Sequence, residues 1–312
     1  MAKVLIAEAE DFSLDIVERL KKHASVDMFA CEQSQLKALL EQYDIFWFRL
    51  GFKIDESVLS EQTRCEIIAT PVTGIDHIDE DLCAQLGIKI VCLRGETEFL
   101  REVRATAEHT ILLAMMLMRK AKQAAIDAEK GNWRRDLFRG FELYKKSVGI
   151  IGYGRLGSIV ADYFHALGCE VGYYDIVTRS NPTYLNVYDS LESCIAKHDV
   201  ISIHVPYNKS THHLFDQNVF QLFDDKKWLI NTSRGGVVEE KALLECLQTH
   251  QIAGAALDVL YGEPDVWQNP LVAYAQQHNN LLITPHIGGC TYESFEKTEH
   301  FIADKIIDLI DD

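Results

Sequence analysis

The stretch "SVGIIGYGRLG" spans residues 147–157 and decides how the rest of the chain is read. Five mostly apolar residues suit a strand buried in a sheet, and Gly152, Gly154 and Gly157 follow in GxGxxG spacing. In such a turn the first glycine permits the tight bend and the second lets backbone approach a pyrophosphate. The third lets the following helix pack closely on the strand. A helix over 155–167 would aim its N-terminal amides and the positive end of its dipole at that phosphate. Arg155 and Leu156, which open this helix, join the three glycines as expected cofactor contacts.

The strand expected next, "CEVGYYD", ends in Asp175, 18 residues after Gly157. A carboxylate there accepts hydrogen bonds from ribose hydroxyls and repels a 2′-phosphate, which favours NAD over NADP. Arg179, four residues on, keeps NADP open. Asp175 also fits a plain strand-end acid.

Such a loop normally opens its domain, yet about 150 residues precede it. Outward from the loop the pattern alternates strand and helix in both directions. Before it, "KVLIA" (3–7), "VDMFA", "DIFWF", "EIIAT" and "IKIVCL" read as strands, with helices over 11–22, 33–42 and 79–86. A single long helix is expected from about 102 to 130, closed by "GNW". After it, "SVGII", "EVGYYD", "DVISIHV", "KWLINTS", "IAGAALDV" and "LLITPH" form a second set, followed by a helix over 291–311. Strands joined by helix-length connections imply parallel sheets covered on both faces, so the expected fold is α/β with two doubly wound domains.

Composition narrows the function. The chain has 312 residues, 47% hydrophobic and 25% charged, in the range of a globular protein. A net charge of −16 argues against a nucleic-acid or anionic-membrane surface, though not against a small anionic substrate met by a local positive pocket. The eight cysteines form no CxxC pair, and no cluster has metal-ligand spacing. "MAKVLIAEAE" lacks the features of a signal peptide, and "ILLAMMLM" (111–118) is far too short to span a bilayer. A cytoplasmic protein with reduced thiols is expected.

Three later segments carry a resemblance: "NTSRGGVVEEKALLECL" (231–247), "AGAALDVLYGEP" (253–264) and "LLITPHIGG" (281–289). With "RATAEHT" (104–110) and "HVPYNKST" (204–211), they resemble the D-isomer-specific 2-hydroxyacid dehydrogenase family, closely from about residue 65 onward and loosely before it. That family carries an Arg, a Glu and a His in this order, which here fall on Arg234, Glu263 and His286. The chemistry suits them. Hydride transfer to a 2-oxo acid leaves an alkoxide that needs a proton, and histidine supplies one near neutral pH. A carboxylate on its other nitrogen fixes the tautomer, and an arginine offers two parallel donors to carboxylate or carbonyl. Taken singly, Arg234 also fits a surface arginine, Glu263 a turn residue before Pro264, and His286 a hinge histidine; His109, His212 and His213 read as structural or exposed.

The resemblance implies further roles. Asp258 would contact the nicotinamide carboxamide, with Thr232 and Ser233 lining the cofactor and Gly288 close by. His204, Val205, Pro206 and Thr211 would lie on the adenine and ribose side. It also implies a discontinuous, flavodoxin-like substrate domain, 1–98 plus 286–312, around an NAD-binding Rossmann domain, 99–285, with the active site in the cleft between them. Val72, Thr73 and Gly74, in "TPVTGIDHID" (70–79), match a loop whose amides hold the substrate carboxylate; the plain alternative is a strand-to-helix turn.

"FRLGFKID" (48–55) resembles the phosphoglycerate dehydrogenase subgroup, in which an arginine at the Arg49 position reaches a phosphate. The competing reading pairs Arg49 with Asp55 or Glu56. Arg94, Arg101 and Arg104 add positive charge, and only 26 residues follow His286, too few for the regulatory C-terminal domain of longer subgroup members. Phosphohydroxypyruvate, hydroxypyruvate and glyoxylate all stay open as substrates. Glutamate at 263, where the superfamily's formate dehydrogenase has glutamine, argues against formate. An NAD(H)-sensing binding protein is the alternative of another class. Residues 130–146, "KGNWRRDLFRGFELYKK", carry six basic and two acidic side chains. In the family this arm crosses to a second subunit, where the residue at the Trp133 position can reach the partner's substrate pocket, so a homodimer is expected.

Overall fold

The computed structural model describes residues 1–10, 12–177 and 179–311. The chain divides into two compact units, one of Met1–Val103 with the C-terminal stretch from Thr291, the other of Arg104–Cys290. Both are parallel α/β sheets.

In the first unit the strands are β1 (Lys3–Ile6), β2 (Ser25–Met28), β3 (Ile45–Trp47), β4 (Ile67–Ala69) and β5 (Lys89–Val91). They lie in the order β2-β1-β3-β4-β5, all parallel, with Val4 opposite Ile45 and Ile45 opposite Ile67. The period-2 geometry of a strand sends alternate side chains to opposite faces. Val4, Ile6, Ile45 and Trp47 pack with Ile302 and Ile306 of the C-terminal helix Tyr292–Asp311. Leu5, Phe46 and Ile68 pack on the other face with Leu36, Leu40 and Cys83. Burial on both faces explains why the central strands β1, β3 and β4 read as continuous apolar runs.

The second unit holds β6 (Ser147–Ile151), β7 (Glu170–Tyr174), β8 (Asn186–Val187), β9 (Val200–Ile203), β10 (Trp228–Asn231), β11 (Gly254–Leu257) and β12 (Leu281–Ile283). The sheet order is β8-β7-β6-β9-β10-β11-β12, so the chain reverses its direction of travel across the sheet between β6 and β9. Crevices for ligands open at the carboxyl ends of strands at such a reversal. Gly152 follows β6 there and His204 follows β9.

Three elements differ from expectation. The helix expected over 102–130 is two helices, Ala105–Met118 and Ala121–Glu129, separated at Lys120 with φ +51°. The Met118 carbonyl, which a continuing helix would use, accepts instead from the Phe141 amide at 3.0 Å, and a Cβ at Gly140 would overlap that same oxygen. A contact from beyond the helix thus ends it. The helix expected over 11–22 spans Leu14–Leu20; Asp11 lies outside the described residues. The two-residue β8, exposed throughout, carried no strand pattern to read. Among the described residues no helix is long and apolar enough to cross a membrane.

Candidate active site

Helix Arg155–Ala166 starts at Gly154, whose Cα faces open space, with nothing within 4 Å of an added Cβ. Its neighbours are the reverse. A Cβ at Gly157 would overlap the Gly152 carbonyl oxygen, and one at Gly152, where φ is +93°, would lie 2.7 Å from the His204 carbonyl oxygen and 2.9 Å from Val205 Cγ1. Gly152 and Gly157 therefore let backbone meet backbone, while Gly154 leaves room above the helix start. The first-turn amides point out of that end with no intrahelical acceptor by helix geometry. Arg155 stands beside them, its guanidinium lowered from the ordinary range by burial and by the nearby charge of Arg104. Two cations beside a helix N-terminus suit a pyrophosphate.

Asp175 lies just past the end of β7. Its Oδ2 accepts from the Tyr153 amide at 2.8 Å and its Oδ1 from the Val177 amide at 2.8 Å, which ties the carboxylate to the glycine turn. Arg179 Nε stands 3.7 Å from Oδ2. His204 binds Ser202 Oγ through Nε2 at 2.8 Å, while its Nδ1 is buried with no hydrogen-bond partner. Burial holds its pKa down to about 3, so the ring is neutral. Thr211 Oγ1 donates to the Pro206 carbonyl at 2.6 Å and accepts from the Asn208 amide at 2.9 Å, closing the loop after β9. The open space at Gly154 and the orphaned Nδ1 of His204 both fit a dinucleotide lying across this edge.

Farther along the same edge, Glu263 and His286 meet, with Oε1 2.9 Å from Nδ1. Both side chains are about a quarter exposed. His286 has φ +53°, a left-handed conformation that costs most side chains energy and that the surrounding loop must enforce. The enforcing group is Asp258. Its carbonyl accepts from the His286 amide at 2.7 Å. Its Oδ1 accepts from the Ile287 amide and Thr284 Oγ1 and faces His109 Nε2, and its Oδ2 accepts from the Gly288 amide. Burial works against this charge, but the hydrogen bonds from His109, Thr284, Ile287 and Gly288 outweigh it and hold the carboxyl below its usual range.

Protein donors thus hold both oxygens of Asp258, and this engagement sets the loop of His286. His109, read as structural or exposed, is buried and belongs to this network. Thr232 Oγ1 bonds Thr110 Oγ1 at 2.9 Å, and the Ser233 amide and hydroxyl both donate to Asn231 Oδ1.

Arg234 follows β10 in extended conformation and donates from Nη1 to the Ser233 carbonyl at 2.9 Å. The next residue, Gly235, presses on the chain near Glu263: a Cβ there would overlap the Leu260 carbonyl carbon and the Tyr261 amide. The loop of Arg234 and the loop leading to Glu263 are therefore in backbone contact. Glu240, which the sequence did not single out, anchors that second loop by accepting from the Tyr261 amide at 2.7 Å and Asn269 Nδ2 at 2.6 Å. Burial raises its carboxyl above the ordinary range, with Glu263 close by adding to the effect. An acid two residues after "GVV" resembles any exposed helix-start glutamate, so no local signal marks it.

In the first unit, Val72 and Gly74 are half-buried and Thr73 is exposed, in the loop after β4. Arg49 does not pair with Asp55, which binds Lys53 at 2.8 Å. It pairs with Glu299, 250 residues away in sequence, through Nε at 3.0 Å and Nη2 at 2.6 Å. Trp133 is 92% exposed.

Residues 111–288, over half of the chain, match the family described as D-isomer specific 2-hydroxyacid dehydrogenase, NAD binding domain. The chain belongs to this family. It is similar to a D-3-phosphoglycerate dehydrogenase of Archaeoglobus fulgidus, 32% identical over 98% of this chain and 57% of the relative. A D-3-phosphoglycerate dehydrogenase of Escherichia coli K12 is 31% identical over 90% of this chain and 68% of its own length. The chain thus spans little more than half the length of the first of these relatives. Among solved structures, a D-lactate dehydrogenase of Aquifex aeolicus complexed with NAD and lactic acid superposes with a TM-score of 0.85. It is 29% identical and covers 99% of this chain and 95% of that one. The family's NAD-binding domain takes in the glycine turn, Asp175, Arg234, Glu263 and His286, and NAD is its cofactor.

Proposed function

We propose that the protein interconverts a short D-2-hydroxyacid and its 2-oxo acid with NAD. The observation that carries this reading is the 2.9 Å pair of His286 Nδ1 and Glu263 Oε1 on a loop held by Asp258. With Nδ1 donating to the carboxylate, the exchangeable proton sits on Nε2, which gives it to the alkoxide oxygen in reduction and takes it back in oxidation. Glu263 fixes that tautomer. Arg234 offers parallel N–H donors to the carboxylate and carbonyl of the substrate. Bound NAD supplies the hydride acceptor or donor. Gly152, Gly154, Arg155, Leu156 and Gly157 hold its pyrophosphate, and Asp175 its ribose. The loop of Val72, Thr73 and Gly74 takes the substrate carboxylate. In this reading residues 1–98 with 286–312 serve substrate and 99–285 serve NAD.

The test is a panel of short 2-oxo acids with NADH, followed at the nicotinamide absorbance. Turnover of at least one supports the reading, and none on any member removes it. Glu263→Gln leaves the tautomer of His286 unfixed, because an amide side chain can donate as well as accept. It is expected to lower kcat/KM for reduction by about tenfold. A rate identical to that of the parent protein takes Glu263 out of the mechanism.

A homodimer belongs to the same proposal. Trp133, Leu137, Phe141 and Tyr144 are exposed along the basic arm, as are Leu112, Met115 and Ile126 on the two preceding helices. Apolar exposure on this scale marks an interaction surface. Sedimentation at micromolar protein is expected to give a dimer, and an active monomer would sink the idea. The eight unpaired cysteines support a reducing, cytoplasmic location.

A further inference from the structure

The helix Ala105–Met118 opens the second unit and lays one face on two of its loops. Thr106, His109 and Thr110 stand at i, i+3 and i+4, the spacing that puts side chains on one face of a helix. Thr106 packs on the loop after β12, where a Cβ at Gly288 would lie 3.2 Å from Thr106 Cγ2. Thr110 reaches the loop after β10. Its hydroxyl donates to the Thr106 carbonyl at 2.8 Å, so its oxygen accepts from Thr232 Oγ1 at 2.9 Å. Between the two, His109 Nε2 lies 3.1 Å from Asp258 Oδ1 and 3.0 Å from Thr284 Oγ1.

The protons available to this cluster fix the state of the ring. Asp258 is ionised, held below its usual range, and a carboxylate only accepts. Thr284 has one hydroxyl proton, which goes to Asp258 Oδ1 at 2.6 Å, so its oxygen can only accept from His109. Both atoms that face Nε2 are therefore acceptors, and Nε2 carries a proton. Of the four groups that donate to the Asp258 side chain among the described residues, Thr284, Ile287 and Gly288 belong to the segment that carries His286. His109 comes from elsewhere, 149 residues away in sequence. Without it the Asp258 side chain is held only by the segment that it has to hold.

We propose that His109 is a positioning residue: its Nε2–H fixes the Asp258 carboxylate to the helix, and Asp258 in turn fixes the left-handed backbone at His286. The effect of this role on rate rests on the 2-oxo acid reductase reading above, whereas its effect on the loop does not. Loss of the donor leaves a buried carboxylate one hydrogen bond short. The Ile287 and Gly288 amides then lose a fixed acceptor, and His286 loses the loop geometry that sets Nδ1 against Glu263.

The test compares three substitutions in the full chain. His109→Gln keeps an N–H donor as many bonds from Cα as Nε2, His109→Asn ends one bond short, and His109→Leu has no donor. Hydrogen exchange of residues 284–288 is read by mass spectrometry without substrate. The kcat for hydroxypyruvate or pyruvate reduction is read beside the NADH Kd. His109→Leu and His109→Asn are expected to speed exchange at Ile287 and Gly288 and to lower kcat, each by about tenfold, the scale of one hydrogen bond to a charged group. The NADH Kd should stay within about twofold of the parent's, and His109→Gln should match the parent on all three readings. A histidine that only filled space would leave His109→Leu unharmed and would not separate Gln from Asn. Parent-like exchange in a folded His109→Leu, or Gln and Asn variants that behave alike, overturns the proposal. Should His109→Leu not fold, the Gln and Asn pair decides. No turnover of any 2-oxo acid by the parent overturns the reductase reading, and the exchange rates then still decide the role of His109.

Discussion

Replacing His286 by Asn is expected to lower kcat/KM for 2-oxo acid reduction by roughly 100- to 10,000-fold, the usual contribution of a positioned general acid. NADH affinity should stay near that of the parent, because the glycine turn and Asp175 sit on other loops. Asn suits this test for a backbone reason. At φ +53° most side chains are strained, whereas Asn visits the left-handed region readily, so the loop set by Asp258 should survive the change. The measurement pairs steady-state rates with NADH titration by fluorescence. Loss of NADH binding along with the rate would show that the loop, and not the proton, had been removed. Full activity would dismiss His286 as the acid.

Gly235→Ala is expected to have the next largest effect. The added methyl would overlap the Leu260 carbonyl carbon and the Tyr261 amide, and backbone cannot move aside as a flexible side chain can. The two loops must separate, shifting Arg234 relative to Glu263, and a displacement of about 1 Å at a catalytic group can cost on the order of 100-fold in rate. Overpacking should also cost about 1–3 kcal/mol of stability, visible as a lower Tm. Gly289→Ala is the matched control. An added Cβ there meets nothing within 4 Å, so that variant should behave as the parent does. Equal rates for the parent and Gly235→Ala would mean that the contact between the loops does not position the site.

Much of this architecture was legible because the strands are buried on both faces and so appear as uninterrupted apolar runs. "SVGII", "DVISIHV" and "LLITPH" each contain the strand found there. The glycine turn was legible for a different reason: only glycine satisfies the backbone overlaps at positions 152 and 157. What stayed hidden depends on contacts distant in sequence. The break at Lys120 is made by Phe141 pairing with Met118, and nothing within 102–130 announces it. Asp258 showed as an acid at a strand end, but its engagement by His109, Thr284, Ile287 and Gly288 needs the sheet to be assembled first. Arg49 is the sharpest case. A nearby acid at 55 was the natural partner to suggest, and the buried Glu299 on the last helix holds it instead.

The residues of the site were legible as types in an order, whereas their division of labour was not. Glu263 and His286 lie 23 residues apart on separate loops, and spacing alone does not bring Nδ1 to a carboxylate. Glu240 carried no pattern at all, since its importance comes from two donors on the segment that leads to and beyond Glu263.

The most direct measurement of the central claim is the configuration of the product. The protein is incubated with NADH and a short 2-oxo acid whose reduction creates a stereocentre, such as hydroxypyruvate or pyruvate, and the 2-hydroxyacid formed is resolved by chiral chromatography. The expected result is the D isomer, formed mole for mole with the NADH consumed and absent with His286→Asn. An L or racemic product, or NADH loss without a hydroxyacid, would contradict the account.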